Sequence, residues 1–203
     1  MAGSDVIAVI VSDEVALDAD GISVAASVGN NAALVIGGAL ADGGSVTNAS
    51  GRQVTILSAG NDSSKSFNVV GTDVNGDSLT ENVTGANAGT ATSSGYFKTI
   101  ASITAVGNPA GNVSAGINAN AADVIFAGRT RLKGFSFVSG GTAGKANIRN
   151  GSVTGTEVVQ FRSIGTDDSS EDPFIPDEGI LFKDGCFVTF VVPQFDLMMF
   201  YHA

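Results

Sequence analysis

A chain of 203 residues, 43% of them apolar, is long and apolar enough to bury a real core, which excludes disorder as a global state. Twenty-seven glycines against four prolines fit many turns between short strands better than a helix bundle or a proline-rich linker. Ten basic residues face twenty acidic ones, and a net charge of −10 disfavours a general nucleic-acid-binding role and suits a partner with basic patches.

Residues 1–51 contain no lysine or arginine and six acids in an Ala/Gly/Val-rich context. Within them Val6-Ile7-Ala8-Val9-Ile10-Val11 is apolar at both alternating sets of positions, so as a strand it needs cover on both faces. It is either the first strand of the following sheet or an arm donated to a neighbouring subunit. The run is too short for a signal-peptide core or a membrane span, and no positive region precedes it, so no export signal and no membrane partner are expected.

From 52 to 106 the chain alternates β-type runs with glycine-bearing turns. Segments 54–58, 65–70, 78–83 and 95–100 are strand-length and rich in β-branched and aromatic residues. Gly60-Asn61-Asp62 and Asn75-Gly76-Asp77 separate the first three, and Asn-Gly suits a tight hairpin. This reads as an antiparallel sheet.

The same stretch resembles a β module found in structural proteins of tailed bacteriophages. The resemblance is carried by Gly38-Ala39-Leu40, 52–56, Ser58-Ala59-Gly60-Asn61-Asp62, Phe67, Gly71-Thr72-Asp73, Asn75-Gly76, Leu79-Thr80-Glu81, 85–89, Tyr96-Phe97-Lys98-Thr99 and Ser102-Ile103. It covers about half of the chain, from near Ala33 to Gly116. It implies a virion component of head, tail or fibre, located in the virion after assembly in the host cytoplasm. It transfers no catalytic residue.

Residues 107–122 are small and polar, with Val113 and Ile117 alternating, and can hold a closing strand followed by a short linker near 118–122. Beyond it the character changes, since seven of the ten basic residues lie from Arg129 onward. Segments 132–139, 146–149, 157–164, 179–182, 186–192 and 195–201 read as strands between Gly140-Gly141, Asn150-Gly151, Gly165-Thr166 and Asp184-Gly185. In 186–192 both alternating faces are largely apolar, which marks a central strand, and Pro193 stops it. In the last strand Phe195, Leu197, Met199 and Tyr201 share one face, leaving Met198 and Phe200 on the other. Short motifs here, among them 141–144, Ile175-Pro176 and Glu178-Gly179-Ile180, are also similar to small β-sandwich proteins of phage heads and tails.

Few residues carry chemistry. The single cysteine, Cys186, allows no intramolecular disulfide and lies in an apolar run, as a buried inert thiol would. The single histidine, His202, is next to the last residue, where a fraying end makes a poor catalytic base. Ser139-Gly140-Gly141-Thr142-Ala143-Gly144-Lys145-Ala146 nears a phosphate-cradling loop, but serine replaces its first glycine and alanine its magnesium-binding hydroxyl. A glycine turn is the better reading.

Asp73-Val74-Asn75-Gly76-Asp77 begins like a calcium-binding EF-hand loop, yet Ser78 replaces the turn glycine and Thr84 the closing glutamate, so a hairpin turn is expected. Asp167, Asp168, Glu171, Asp172, Asp177 and Glu178 gather six acids without a base, as a solvated loop would; the alternatives are a weak cation site or a contact with a basic partner and, last, a general acid and base pair of the glycosidase type. Asn-x-Ser/Thr triplets begin at Asn48, Asn61, Asn82, Asn112 and Asn150, and without an export signal they are chance products of the composition.

The sequence is therefore expected to form an all-β protein of two small β-sandwich or jelly-roll modules in tandem. An N-terminal arm or first strand spans 1–32, one module spans 33–118 and the second spans 119–203. No catalytic, cofactor-binding or metal residues are expected. The expected role is a non-enzymatic virion protein, a head decoration protein first, with a tail, neck or fibre component or a receptor- or glycan-binding module as alternatives. Expected partners are other virion proteins and further copies of the chain.

Overall fold

The computed structural model describes residues 6–13, 15, 17–164, 170–171, 174–176, 178–191 and 195–202. Among them the fold is all-β, with every strand pair antiparallel, no helix and no closed barrel. The first strands are β1 (Val6–Asp13), β2 (Ser23–Ser27), β3 (Ala41–Asp42), β4 (Ser45–Ser58), β5 (Ser66–Thr72), β6 (Ser78–Thr84), β7 (Thr90–Thr92) and β8 (Phe97–Val106). They are followed by β9 (Asn112–Phe126), β10 (Thr130–Ser139), β11 (Gly144–Asn150), β12 (Thr156–Ser163), β13 (Ser170–Glu171), β14 (Ile180–Phe182), β15 (Cys186–Val191) and β16 (Phe195–His202). The chain divides into two compact units, Leu17–Asn118 and Met1–Ala16 with Ala119–Ala203.

In the unit of Leu17–Asn118, β4, β8, β5 and β6 follow one another across a sheet, with β3 and β7 also on β4 and β2 on the first part of β9. Alternation decides the faces: in β5, Phe67, Val69 and Gly71 point inward, and Phe67 lies opposite Val83 of β6 and Ala105 of β8. The β5–β6 turn is closed by its own acid. Asp73 Oδ1 accepts from the backbone N–H of Asn75 at 2.8 Å and of Asp77 at 3.0 Å, which is the local hydrogen bonding that favours aspartate at turn starts. At Gly71 the pairing with β8 shifts register, and a Cβ there would fall 1.9 Å from the Thr99 carbonyl oxygen, so only glycine lets the two backbones approach. Ile22, Val54, Ile56, Phe97, Ile100, Ile103 and Val113 complete a core with no solvent exposure.

In the other unit, β1, β16 and β10 form one sheet, with β13 and β14 both on β10. The second sheet runs β12, β11, β15 and the later part of β9. Their inward residues make one core: Val11, Leu197, Met199, Leu132 and Phe137 from the first sheet meet Ala121, Ile148, Phe161, Val188 and Phe190 from the second. Phe rings join the two. Phe190 of β15 stacks on Phe195 of β16 with centroids 3.6 Å apart, and Phe135 of β10 stacks on Phe161 of β12. All but the last residue of β15 is buried, as expected of a central strand.

Three features differ from the sequence expectation. The segment 1–32 is not one arm: β1 pairs along its whole length with β16 of the same chain, from Val6 opposite His202 to Asp13 opposite Phe195, while β2 pairs with β9. The partner strand supplies the cover that periodicity alone could not locate. Second, no linker interrupts 118–122, because β9 runs unbroken from Asn112 to Phe126. Its alanines and Gly116 are packed closely, and a Cβ on Gly116 would lie 2.0 Å from the Asp18 carbonyl oxygen. Third, His202 is paired at the end of β16, with Val6 on one side and Arg131 on the other.

Candidate functional site

The residues with reactive chemistry are placed apart or occupied. Cys186 opens β15 at 1% exposure, and burial pushes its thiol up to about 12. Without thiolate it is no nucleophile. At pH 8 the native protein is expected to alkylate with iodoacetamide at least about a hundredfold more slowly than the urea-unfolded chain. Equal rates would refute the burial. The same thiol sets a sign for alkaline stability. Its contribution is fully present below the unfolded pKa of 9.0 and is lost as pH rises toward the folded value of about 12.

The glycine-rich segment at 140–143 joins β10 to β11 with no helix after it, so it lacks the helix N-terminus on which a phosphate loop depends. Asp73 is engaged in its own turn. Among the described residues no three His, Cys, Asp or Glu side chains are grouped to hold a metal. Of the acidic stretch, Asp167, Asp168, Asp172 and Asp177 lie outside the described residues, as does Pro193; the backbone of Glu171 pairs with Phe137, and Glu178 is exposed.

What the fold does assemble is a surface. Along β1 and β16 the side chains alternate between core and solvent, so the residues left outside by burying Val11, Leu197 and Met199 are Ala8, Ile10, Met198 and Phe200. Antiparallel register aligns them: Ile10 lies opposite Met198, which lies opposite Ser136 of β10, and Ala8 lies opposite Phe200, which lies opposite Gly134. Ile10 is 68% exposed, and Val6, Met198 and Phe200 are exposed as well. Gly134 leaves the space over its backbone to the Phe200 ring, whose Cδ2 would sit 3.5 Å from an added Cβ. A shallow cavity of about 310 Å³ lined by Ile10, Val138, Leu197 and Met198, with Ser136 and Asp196, sits on this face. Among the described residues the sheet order also leaves β1 without a partner on its other side.

The sequence contained Ile10, Met198 and Phe200 as apolar residues in excess of what one face can bury. It did not contain their adjacency, which depends on β1 joining β16 across most of the chain length. Comparison with known proteins adds no parallel: no protein-family model matches the chain, and no characterised protein or solved structure matches it either.

Proposed function

We propose that this chain is a non-enzymatic structural protein of a tailed-phage virion, acting as a head decoration protein that assembles through the outer face of β1, β16 and β10. The observation that supports surface-borne work is the aligned apolar set Ala8, Ile10, Met198 and Phe200 on an exposed sheet whose edge strand has no outer partner among the described residues. Covering it with a neighbouring subunit would contribute roughly 25 cal/mol per Å² removed from water. Weak contacts of this kind, repeated around a symmetry axis, suffice in a lattice. The virion location rests on the resemblance of 33–116 to phage β modules, and that resemblance also admits a tail, neck or fibre position. In this reading the two units are two sandwich or jelly-roll modules, one for the shell and one for display.

Two measurements test it. Ile10→Glu with Met198→Glu changes only exposed side chains, so it is expected to keep the circular dichroism spectrum while reducing self-association and binding to particles by more than about tenfold. A wild-type protein that sediments as a monomer and does not bind particles would remove the proposal. Quantitative composition of purified particles then separates locations: copies comparable to the coat protein fit decoration, and far fewer fit the tail.

A further inference from the structure

At the opposite corner of the same unit, where β10 starts and β16 ends, a cavity of about 320 Å³ is lined by Arg129, Thr130, Arg131, Lys133, Glu178 and His202. We infer that this cavity is a binding site for a small oxyanion, a phosphate- or carboxylate-bearing molecule. Three of the chain's ten basic residues converge there against a single lining carboxylate among the described residues, although the chain carries a net charge of −10. A concave site with an excess of one sign of charge concentrates field lines and raises the local concentration of the opposite ion. The cluster Arg129, Arg131, Lys133 at the start of β10 was the sequence signal for it.

Contacts within the chain set the geometry. Arg131 Nη1 donates to the Glu178 carbonyl oxygen at 2.9 Å and to that of Gly179 at 3.4 Å, which fixes one corner of the guanidinium. Its remaining N–H groups have no partner among the described residues, and a guanidinium presents five donors suited to bidentate oxyanion contact. Arg129 likewise forms no ion pair among the described residues. The loop that holds Arg131 is itself constrained. Gly179 has φ +72°, and a Cβ there would lie 2.6 Å from the Leu132 carbonyl oxygen, so glycine lets the loop press against β10. On the other side Thr130 Oγ1 donates to the His202 carbonyl oxygen at 2.7 Å, and Arg131 pairs with His202 across the ladder, which places the imidazole at the rim. The volume is at the lower end for small-molecule sites, which fits a compact anion and not a polymer.

The experiment is a two-dimensional amide NMR titration of the full chain with inorganic phosphate and, separately, with malonate, each against sodium chloride at equal ionic strength. Saturable shifts are expected at 129–133, 178–179 and 202 with at least one of the two probes, and which probe saturates first assigns phosphate or carboxylate chemistry. Arg129→Gln, at an exposed side chain without hydrogen bonds among the described residues, and Arg131→Lys, which keeps the charge but loses the fork, are each expected to weaken binding about tenfold. The control Lys145→Gln with Arg162→Gln removes two charges elsewhere in the unit and is expected to leave binding within about twofold. Shifts no larger than sodium chloride produces, or equal weakening by the control and the cavity variants, would overturn the assignment.

Discussion

Phe190→Ala is expected to lower unfolding stability by about 4 kcal/mol, the largest loss of any single truncation in the unit that contains β15. The ring has no solvent exposure, and it lies between the two sheets. One face stacks on Phe195 with an interplanar angle of 13°, and Phe137 of β10 sits at 6.3 Å between centroids. These neighbours belong to hydrogen-bonded strands of the opposing sheet, which limits how far they can collapse into the space left behind. Both the transfer term and the cavity term are therefore felt. Phe190→Leu, which keeps most of the volume, is expected to cost about 1.5 kcal/mol. Urea unfolding with an unchanged slope is the measurement. A loss for Phe190→Ala below about 1 kcal/mol would mean that the two sheets do not share this core.

That prediction uses a core whose members were legible, because strands announce themselves locally. The runs 132–139, 157–164, 186–192 and 195–201 coincide within a few residues with β10, β12, β15 and β16; 195–201 carries the two-residue alternation that burial of one face demands, and 186–192 the doubly apolar pattern of a strand covered on both faces. The hairpin at Asp73 to Asp77 was readable for the same reason: its hydrogen bonds connect residues four or fewer apart. Pairing over long range was not. Nothing within Val6–Asp13 says that its partner is Phe195–His202 and not the sheet that follows it.

The continuous β9 was missed because alanine, glycine and asparagine are weak strand formers, and propensity is overridden where small residues are required by close packing, as at Gly116. The outer apolar face and the basic cavity were half legible. Their residue types were in view, but a face or a cavity is a relation between strands, and it exists only once register is known.

Arg52 reverses the usual expectation for its residue type, and its replacement tests how the Leu17–Asn118 unit is held. A charged side chain in a turn-punctuated β stretch reads as solvated, yet Arg52 is 0% exposed, the largest fully buried side chain among the described residues. It stands in β4 opposite Phe97, and its Nη1 donates to the Asn118 carbonyl oxygen at 3.3 Å, joining the middle of β4 to β9. Taking a guanidinium from water costs several kcal/mol, so the fold retains it only by supplying acceptors and by packing its long aliphatic stem. Arg52→Ala removes stem and donors together and is expected to cost about 3–5 kcal/mol.

Arg52→Met discriminates between the two contributions. If the stem dominates, methionine restores most of the packing without a charge to desolvate, and the loss falls to about 1–2 kcal/mol, the residue of an unpaired carbonyl at a half-buried position. If the donors dominate, methionine is as damaging as alanine. The first outcome is expected, because Asn118 is partly exposed and water can reach its oxygen. Arg52→Ala within about 1 kcal/mol of the parent protein would show instead that the side chain is solvated. Arg52 also belongs to the residues that carry the resemblance to phage β modules. A stabilising role in the interior gives that position a physical reason to be arginine without any partner outside the chain, and directs the search for partners to the exposed sheet face of the other unit.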